Sequence, residues 1–142
     1  CSFGNDKDLV AENVEMNFEM KNKVLKSGFL KMNGKEVFKF AINVVEKSIN
    51  KILDMNNLKI EDINLIIPHQ ANQRIINNVA KKFNISNDKF FVNLEKYGNT
   101  SAASIPMALC EAFESKKITK GDKVILVGFG GGLTWGSTII EI

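Results

Sequence analysis

Between Gly34 and Met55 the apolar residues Val37, Phe38, Ala41, Ile42, Val45, Ile49 and Ile52 recur at spacings of three and four. That rhythm predicts an amphipathic helix with one face on a core. Phe40 and Val44 lie off the stripe, so a second face of the same helix also has apolar surface to cover. Asn56-Asn57 ends the pattern. Ile63 to Ile67 does not alternate, and that lack of alternation reads as a strand buried on both faces, as in a parallel sheet. Helical spacing returns from Gln70 to Phe83, through Ala71, Ile75, Ile76, Val79, Ala80 and Phe83.

Beyond a turn at Ser86-Asn87-Asp88, Phe90–Leu94 reads as a second strand. Thr100 or Ser101 is the expected N-cap of a helix running to about Glu114. That segment is small and apolar nearly all round, which predicts a central, buried helix. Lys123–Phe129 reads as a strand, and Trp135–Ile142 as a final strand antiparallel to it across a glycine loop. Strands alternating with helices define an α/β class: a layered α-β-α unit with a mixed, mostly parallel sheet. The first 28 residues are polar with weak periodicity and read as a loop or linker. The organisation expected is therefore 1–28 as a connection from a preceding half and 29–142 as one domain, the chain being a piece of something larger.

Composition narrows the functional classes. The chain has 142 residues, 44% of them hydrophobic and 25% charged, as in an ordinary globular domain. Its 19 basic and 16 acidic residues leave a net charge of +3, too small an excess to argue for a nucleic-acid protein. No apolar stretch is long enough to span a bilayer and no signal-peptide pattern opens the chain, so the cytoplasm is the default expectation. Cys1 and Cys110 form neither a disulfide framework nor a metal site. Cys110, in Met107-Ala108-Leu109-Cys110-Glu111-Ala112, is expected to be a small buried hydrophobe.

Three segments join turn chemistry to an apolar element. His69, the sole histidine, follows an apolar run and Pro68 and precedes a helical pattern. The mouth of a buried strand is where α/β proteins place chemistry. The positive end of the next helix disfavours imidazolium there, and a neutral imidazole can donate to a developing oxyanion. Asn99, after Gly98, would be a fixed, uncharged donor. Gly130-Gly131-Gly132 lies between two strands, which disfavours a dinucleotide fold but lets a backbone N–H approach a ligand carbonyl. Taken singly, a satisfied rim histidine, a turn asparagine and a hairpin loop account equally well for these residues.

Taken together they do more. Pro68-His69-Gln70-Ala71-Asn72, Gly98-Asn99-Thr100-Ser101-Ala102-Ala103-Ser104 and Phe129-Gly130-Gly131-Gly132-Leu133-Thr134-Trp135-Gly136 resemble the C-terminal half of β-ketoacyl-[acyl-carrier-protein] synthase III. This is a condensing enzyme of the thiolase-like superfamily that initiates type II fatty-acid synthesis. Lys31-Met32-Asn33-Gly34-Lys35-Glu36-Val37-Phe38-Lys39 matches the opening of that half, and the resemblance runs from about Phe29 to Ile142.

The resemblance implies an acyltransferase that condenses an acyl-CoA, acetyl-CoA foremost, with malonyl-[acyl carrier protein]. His69 and Asn99 fall on two members of the family's Cys-His-Asn triad, which hydrogen-bond the malonyl thioester oxygen. Gly130 falls on the glycine whose backbone N–H polarises the acyl-enzyme carbonyl, and Phe129 on the aromatic residue beside it. Asn72 falls on the pantetheine tunnel, and Gly34 and Phe38 near its mouth. Arg74, Lys39, Lys81 and Lys82 match basic positions that dock the acyl carrier protein. Coenzyme A thioesters are implied as substrates, with no metal or redox cofactor, and a homodimer as the full-length form.

The nucleophilic cysteine is the member missing: neither Cys1 nor Cys110 has its Ala-Cys-Ala/Ser-Gly setting. The isolated chain is therefore expected to be inactive. It is also expected to associate through the apolar surface, including the helix after Ser101, that would meet the N-terminal half. Two other readings stay open at this point. One is a relative making a secondary metabolite or a branched primer product, and the other is a non-catalytic carrier-protein or CoA binding module. A hydrolase using Cys110 with His69 and Asn99 is weakest, since it needs Cys110 at an exposed helix start.

Overall fold

The computed structural model describes residues 2–3, 9–12, 18–20, 23–25 and 29–142. Five short strands come first: β1 (Ser2–Phe3), β2 (Leu9–Glu12), β3 (Phe18–Met20), β4 (Lys23–Leu25) and β5 (Phe29–Met32). They are followed by α1 (Gly34–Met55), β6 (Leu65–Pro68), α2 (Gln73–Phe83), α3 (Leu94–Tyr97), α4 (Ser104–Glu114), β7 (Lys123–Gly130) and β8 (Thr134–Glu141).

The central sheet runs β1-β8-β7-β6. β6 and β7 are parallel, Leu65 facing Val124 and Pro68 facing Val127. β7 and β8 are antiparallel over their full length, from Lys123↔Glu141 to Gly130↔Thr134. β1 adds to the far edge of β8, while β2 pairs with β5 and β3 with β4. The leading 28 residues are therefore not wholly loop. Strands of two to four residues are too short for alternation to show in the sequence.

Alternation along β6 and β7 divides the core into two layers. Ile66, Ile125 and Val127 face α1 and α2, packing with Ala41, Val45, Ile49, Ile76 and Val79. Leu65, Ile67 and Val124 face α4, packing with Ala108, Ala112 and Ile118. This is the α-β-α sandwich expected, but its mixed sheet holds one parallel strand pair, β6 and β7, among the described residues rather than being mostly parallel. Each Ile, Leu or Val side chain so withdrawn from water is worth about 1.5–3 kcal/mol. Asn33 caps α1 by accepting from Glu36 N at 3.4 Å. Asn72 caps α2 by accepting from Arg74 N at 2.9 Å, and Asn84 closes α2 in the left-handed region.

Four expectations are corrected. α2 starts at Gln73 rather than Gln70, because the Gln70 side chain is buried in other bonds. The strand expected at Phe90–Leu94 is a single parallel bridge, Ile66↔Phe90, after which Leu94 opens α3. Gln70 is again the reason: its carboxamide donates to Phe91 O at 3.1 Å and accepts from Asn93 N at 3.2 Å, taking the groups a strand ladder would pair. Neither Thr100 nor Ser101 caps α4 with its side chain; a 3-10 turn, Ser101–Ala103, leads into it.

The fourth concerns Cys110, which is exposed. Ser104, Ala108 and Ala112, four apart, form the face of α4 on the sheet. Cys110 lies two residues from each alanine, on the opposite side. Phe113, 46% exposed, shares that open side, so α4 is not buried all round within this chain.

Candidate active site

β6 ends at Pro68, and the next backbone N–H, of His69, donates to Val127 O at 2.8 Å. That bond continues the parallel pairing by one residue and fixes where the imidazole starts. Phe129 on β7 meets the ring edge-on, with centroids 5.1 Å apart and planes at 81°. On the other side Nδ1 lies 2.6 Å from the Ser104 hydroxyl at the start of α4. The ring is thus held between Phe129 of β7 and the start of α4.

Burial holds the His69 pKa below the ordinary histidine value. Desolvation is the cause, as the charged form is the one that needs water. α2 begins four residues on, at Gln73, and not directly after His69 as expected. The ring is therefore a neutral imidazole at pH 7, able to donate from one nitrogen.

Asn99 reaches the same place by a different route. Gly98 has φ 68 and ψ −161, a backbone that a residue with a Cβ rarely adopts. After that turn, Asn99 Oδ1 accepts from Ser101 N at 3.0 Å. This bond orients the carboxamide and leaves its NH₂ to donate elsewhere. Ser101 itself has a positive φ of 51. The approach to this turn is tied down through α3. Asn93 Nδ2 donates to Glu111 on α4 at 2.8 Å, and Lys96 pairs with the same carboxylate at 2.9 Å.

His69, Asn99, Phe129 and Gly130 line one cavity of about 840 Å³, with Phe40, Leu133 and Trp135 among its apolar walls. Gly130 is extended, and a Cβ there would meet nothing within 4 Å. The space beside it is open. Leu133, at φ 37, turns the chain back into β8. Two members of this site were missed in the sequence. Ser104 stood inside a quoted motif but read only as part of a helix start, and Gln70 read as the first residue of a helix.

A family model described as 3-Oxoacyl-[acyl-carrier-protein (ACP)] synthase III C terminal matches residues 53–142. The chain belongs to this family. It is 51% identical over 135 residues to the beta-ketoacyl-[acyl-carrier-protein] synthase III of Clostridium perfringens strain ATCC 13124, covering 94% of this chain and 42% of that protein. The Clostridium tetani synthase III is 56% identical over 121 residues, covering 85% of this chain and 36% of the relative. Among solved structures, the synthase III of Thermus thermophilus superposes with a TM-score of 0.83 at 40% identity, over 96% of this chain and 42% of that one. The fold is thus that of the thiolase-like condensing enzymes, and the chain spans less than half the length of these relatives.

The remaining sequence-predicted residues of this synthase III segment lie outside the shared cavity. Asn72, exposed, spends its side-chain oxygen on the cap of α2. Gly34 opens α1, and it is Val37 and Phe40, not Gly34 or Phe38, that reach the cavity wall. Phe38 instead lies under Arg74, whose guanidinium carbon is 5.8 Å from the ring centroid. Of the basic residues, Lys39 pairs with Glu36 at 2.9 Å and Lys82 with Glu46. Lys81 and Arg74 are exposed on α2. The four cations therefore differ: two share their charge with a carboxylate, and Arg74 is braced by an aromatic ring.

Proposed function

We propose that the full-length protein is an acyltransferase of fatty-acid initiation, condensing an acyl-CoA with malonyl-[acyl carrier protein] in the cytoplasm. On this reading the preceding half supplies the nucleophilic cysteine, and acetyl-CoA is the leading acyl donor. The observation that carries the proposal is two uncharged donors, the His69 imidazole and the Asn99 carboxamide, lining one cavity with the open side of Gly130. Decarboxylation needs such donors. As CO₂ leaves the malonyl thioester, the electrons of the broken C–C bond pass to the thioester oxygen as an enolate. Fixed donors stabilise that charge where it develops. The enolate carbon then bonds to the acyl carbonyl carbon and expels the cysteine thiolate. The Gly130 N–H would hold the carbonyl oxygen during that attack.

Arg74, with Lys81 and in lesser measure Lys39 and Lys82, would guide the acidic carrier protein. Such contacts mainly steer encounter and fix orientation. Asn72, Gly34 and Phe38 would line the pantetheine path leading in. The open face of α4, with Phe113 and Cys110, would pack on the preceding half. Cys110 is not among the residues lining the cavity, so it would form no acyl-enzyme there.

The test is a condensation assay with acyl-CoA and malonyl-[acyl carrier protein]. β-Ketoacyl product from the full-length protein and none from the 142-residue chain supports the proposal. Product from the isolated chain, or none from the full-length protein with any acyl-CoA, contradicts it.

A further inference from the structure

Ser104 is 2% exposed, and its hydroxyl sits 2.6 Å from His69 Nδ1. A hydroxyl can give or take a hydrogen bond, so the pair has two arrangements. In one, Nδ1–H donates to Oγ. The serine proton then needs another acceptor, and the Ser104 hydroxyl has no other partner among the described residues. A buried O–H left without an acceptor is costly. In the other, Oγ–H donates to Nδ1. Every proton at the contact is then used, and the single proton of the neutral ring lies on Nε2, which has no partner among the described residues.

We infer that Ser104 is a positioning residue that donates to His69 Nδ1 and so holds the neutral imidazole with its proton on Nε2. This rests on the proposed function and sharpens it: His69 is set as a hydrogen-bond donor and not as a base. A base at Nε2 would need the opposite tautomer, with Nδ1–H held by a carbonyl or carboxylate. Among the described residues no acidic side chain contributes to the histidine's shifted pKa, whose cause is burial. A hydroxyl can supply the donor without favouring imidazolium, as a carboxylate would. The sequence also places the two together in a simple way, since Ser104 is the one polar residue on the sheet-facing side of α4, between the strand end that carries His69 and Ala108.

Long-range ¹H–¹⁵N correlation of the imidazole in the full-length protein, assigned by its loss in His69→Asn, reads the tautomer directly. A proton on Nε2 with Nδ1 as acceptor is expected, and Nδ1 should lose its hydrogen-bonded shift in Ser104→Ala. A proton on Nδ1 would overturn the inference. In kinetics, Ser104→Ala should lower the kcat for malonyl decarboxylation about tenfold to a hundredfold with KM unchanged, as for loss of an outer-shell partner of a functional histidine. Ser104→Thr, which keeps the hydroxyl, should recover part of it. Full kcat in a folded Ser104→Ala would also overturn the inference. Should both variants fail to fold, the wild-type spectrum still decides. If His69→Ala leaves condensation unaltered, the proposed function fails instead, and the tautomer result stands apart from it.

Discussion

The backbone N–H of Asn93 donates to Gln70 Oε1 at 3.2 Å, while Gln70 Nε2 donates to Pro68 O at 2.8 Å and Phe91 O at 3.1 Å. One buried side chain, 1% exposed, thus ties the turn that carries His69 to the segment that leads to Asn99. The two donors of the cavity are held in register through it.

Removing that carboxamide leaves up to three backbone groups short of a partner. Each buried group so stranded costs about 1–3 kcal/mol. Gln70→Ala is expected to destabilise the full-length protein by about 3 kcal/mol, with water recovering part of the loss. Denaturant unfolding measures it. A change under about 0.5 kcal/mol, the range of ordinary surface substitutions, would show that the bonds carry little.

The glycines of the site should separate by backbone conformation. Gly98 has a positive φ with ψ near extended, so Gly98→Ala should cost about 1–3 kcal/mol and displace Asn99. Gly130 is extended and a Cβ there meets no atom within 4 Å. Gly130→Ala should hold stability within about 0.5 kcal/mol yet lower turnover, because its methyl enters the space next to the acyl carbonyl. Thermal melts beside turnover rates distinguish the two, and equal loss of stability would contradict the assignment.

The site's pH dependence follows from His69. Burial lowers its pKa in the folded chain below the unfolded value of about 6.5. The unfolded chain then binds a proton that the folded chain does not. The contribution to stability is fully present above the unfolded pKa and is lost as pH falls through the folded one. The melting temperature should therefore fall more steeply as pH drops below about 6.5 in the wild type than in His69→Asn. Parallel curves for the two proteins would remove His69 from the account.

How much of this was legible in the chain depended on repetition. The long stripe of α1 and the apolar runs of β6, β7 and β8 carry the plainest signal, and those elements lie within two residues of where the pattern puts them. The turns carrying His69 and Asn99 were marked by Pro68 and Gly98. What was hidden depends on single side chains acting across the fold. Gln70 looks like a first helical residue, yet it is folded inward and takes the bonds that would have made Phe90–Leu94 a strand. Cys110 lies in a run so uniformly small and apolar that the sequence does not reveal which face meets the sheet. β1 offers two residues, whose pairing with Thr134 and Trp135 no local pattern announces.

Carrier recognition should be unequal among the basic residues. Lys82 and Lys39 already share carboxylate partners, whereas Arg74 is exposed and braced over Phe38. Arg74→Ala should raise KM for the malonyl carrier about tenfold at low salt with little change in kcat, and Lys82→Ala should raise it less. The difference should shrink in high salt. Equal effects of the two substitutions, or an Arg74 effect on kcat alone, would count against docking.

The central claim is that His69 and Asn99 stabilise the charge that forms as the malonyl group loses CO₂. It is tested most directly by following the two half-reactions separately in the full-length protein. His69→Ala and Asn99→Ala should each slow CO₂ release by about 10²–10³, the usual consequence of losing one oxyanion donor. Both should still take up the acyl group from acyl-CoA. Unchanged CO₂ release in the two variants, or loss confined to acyl uptake, would contradict the account.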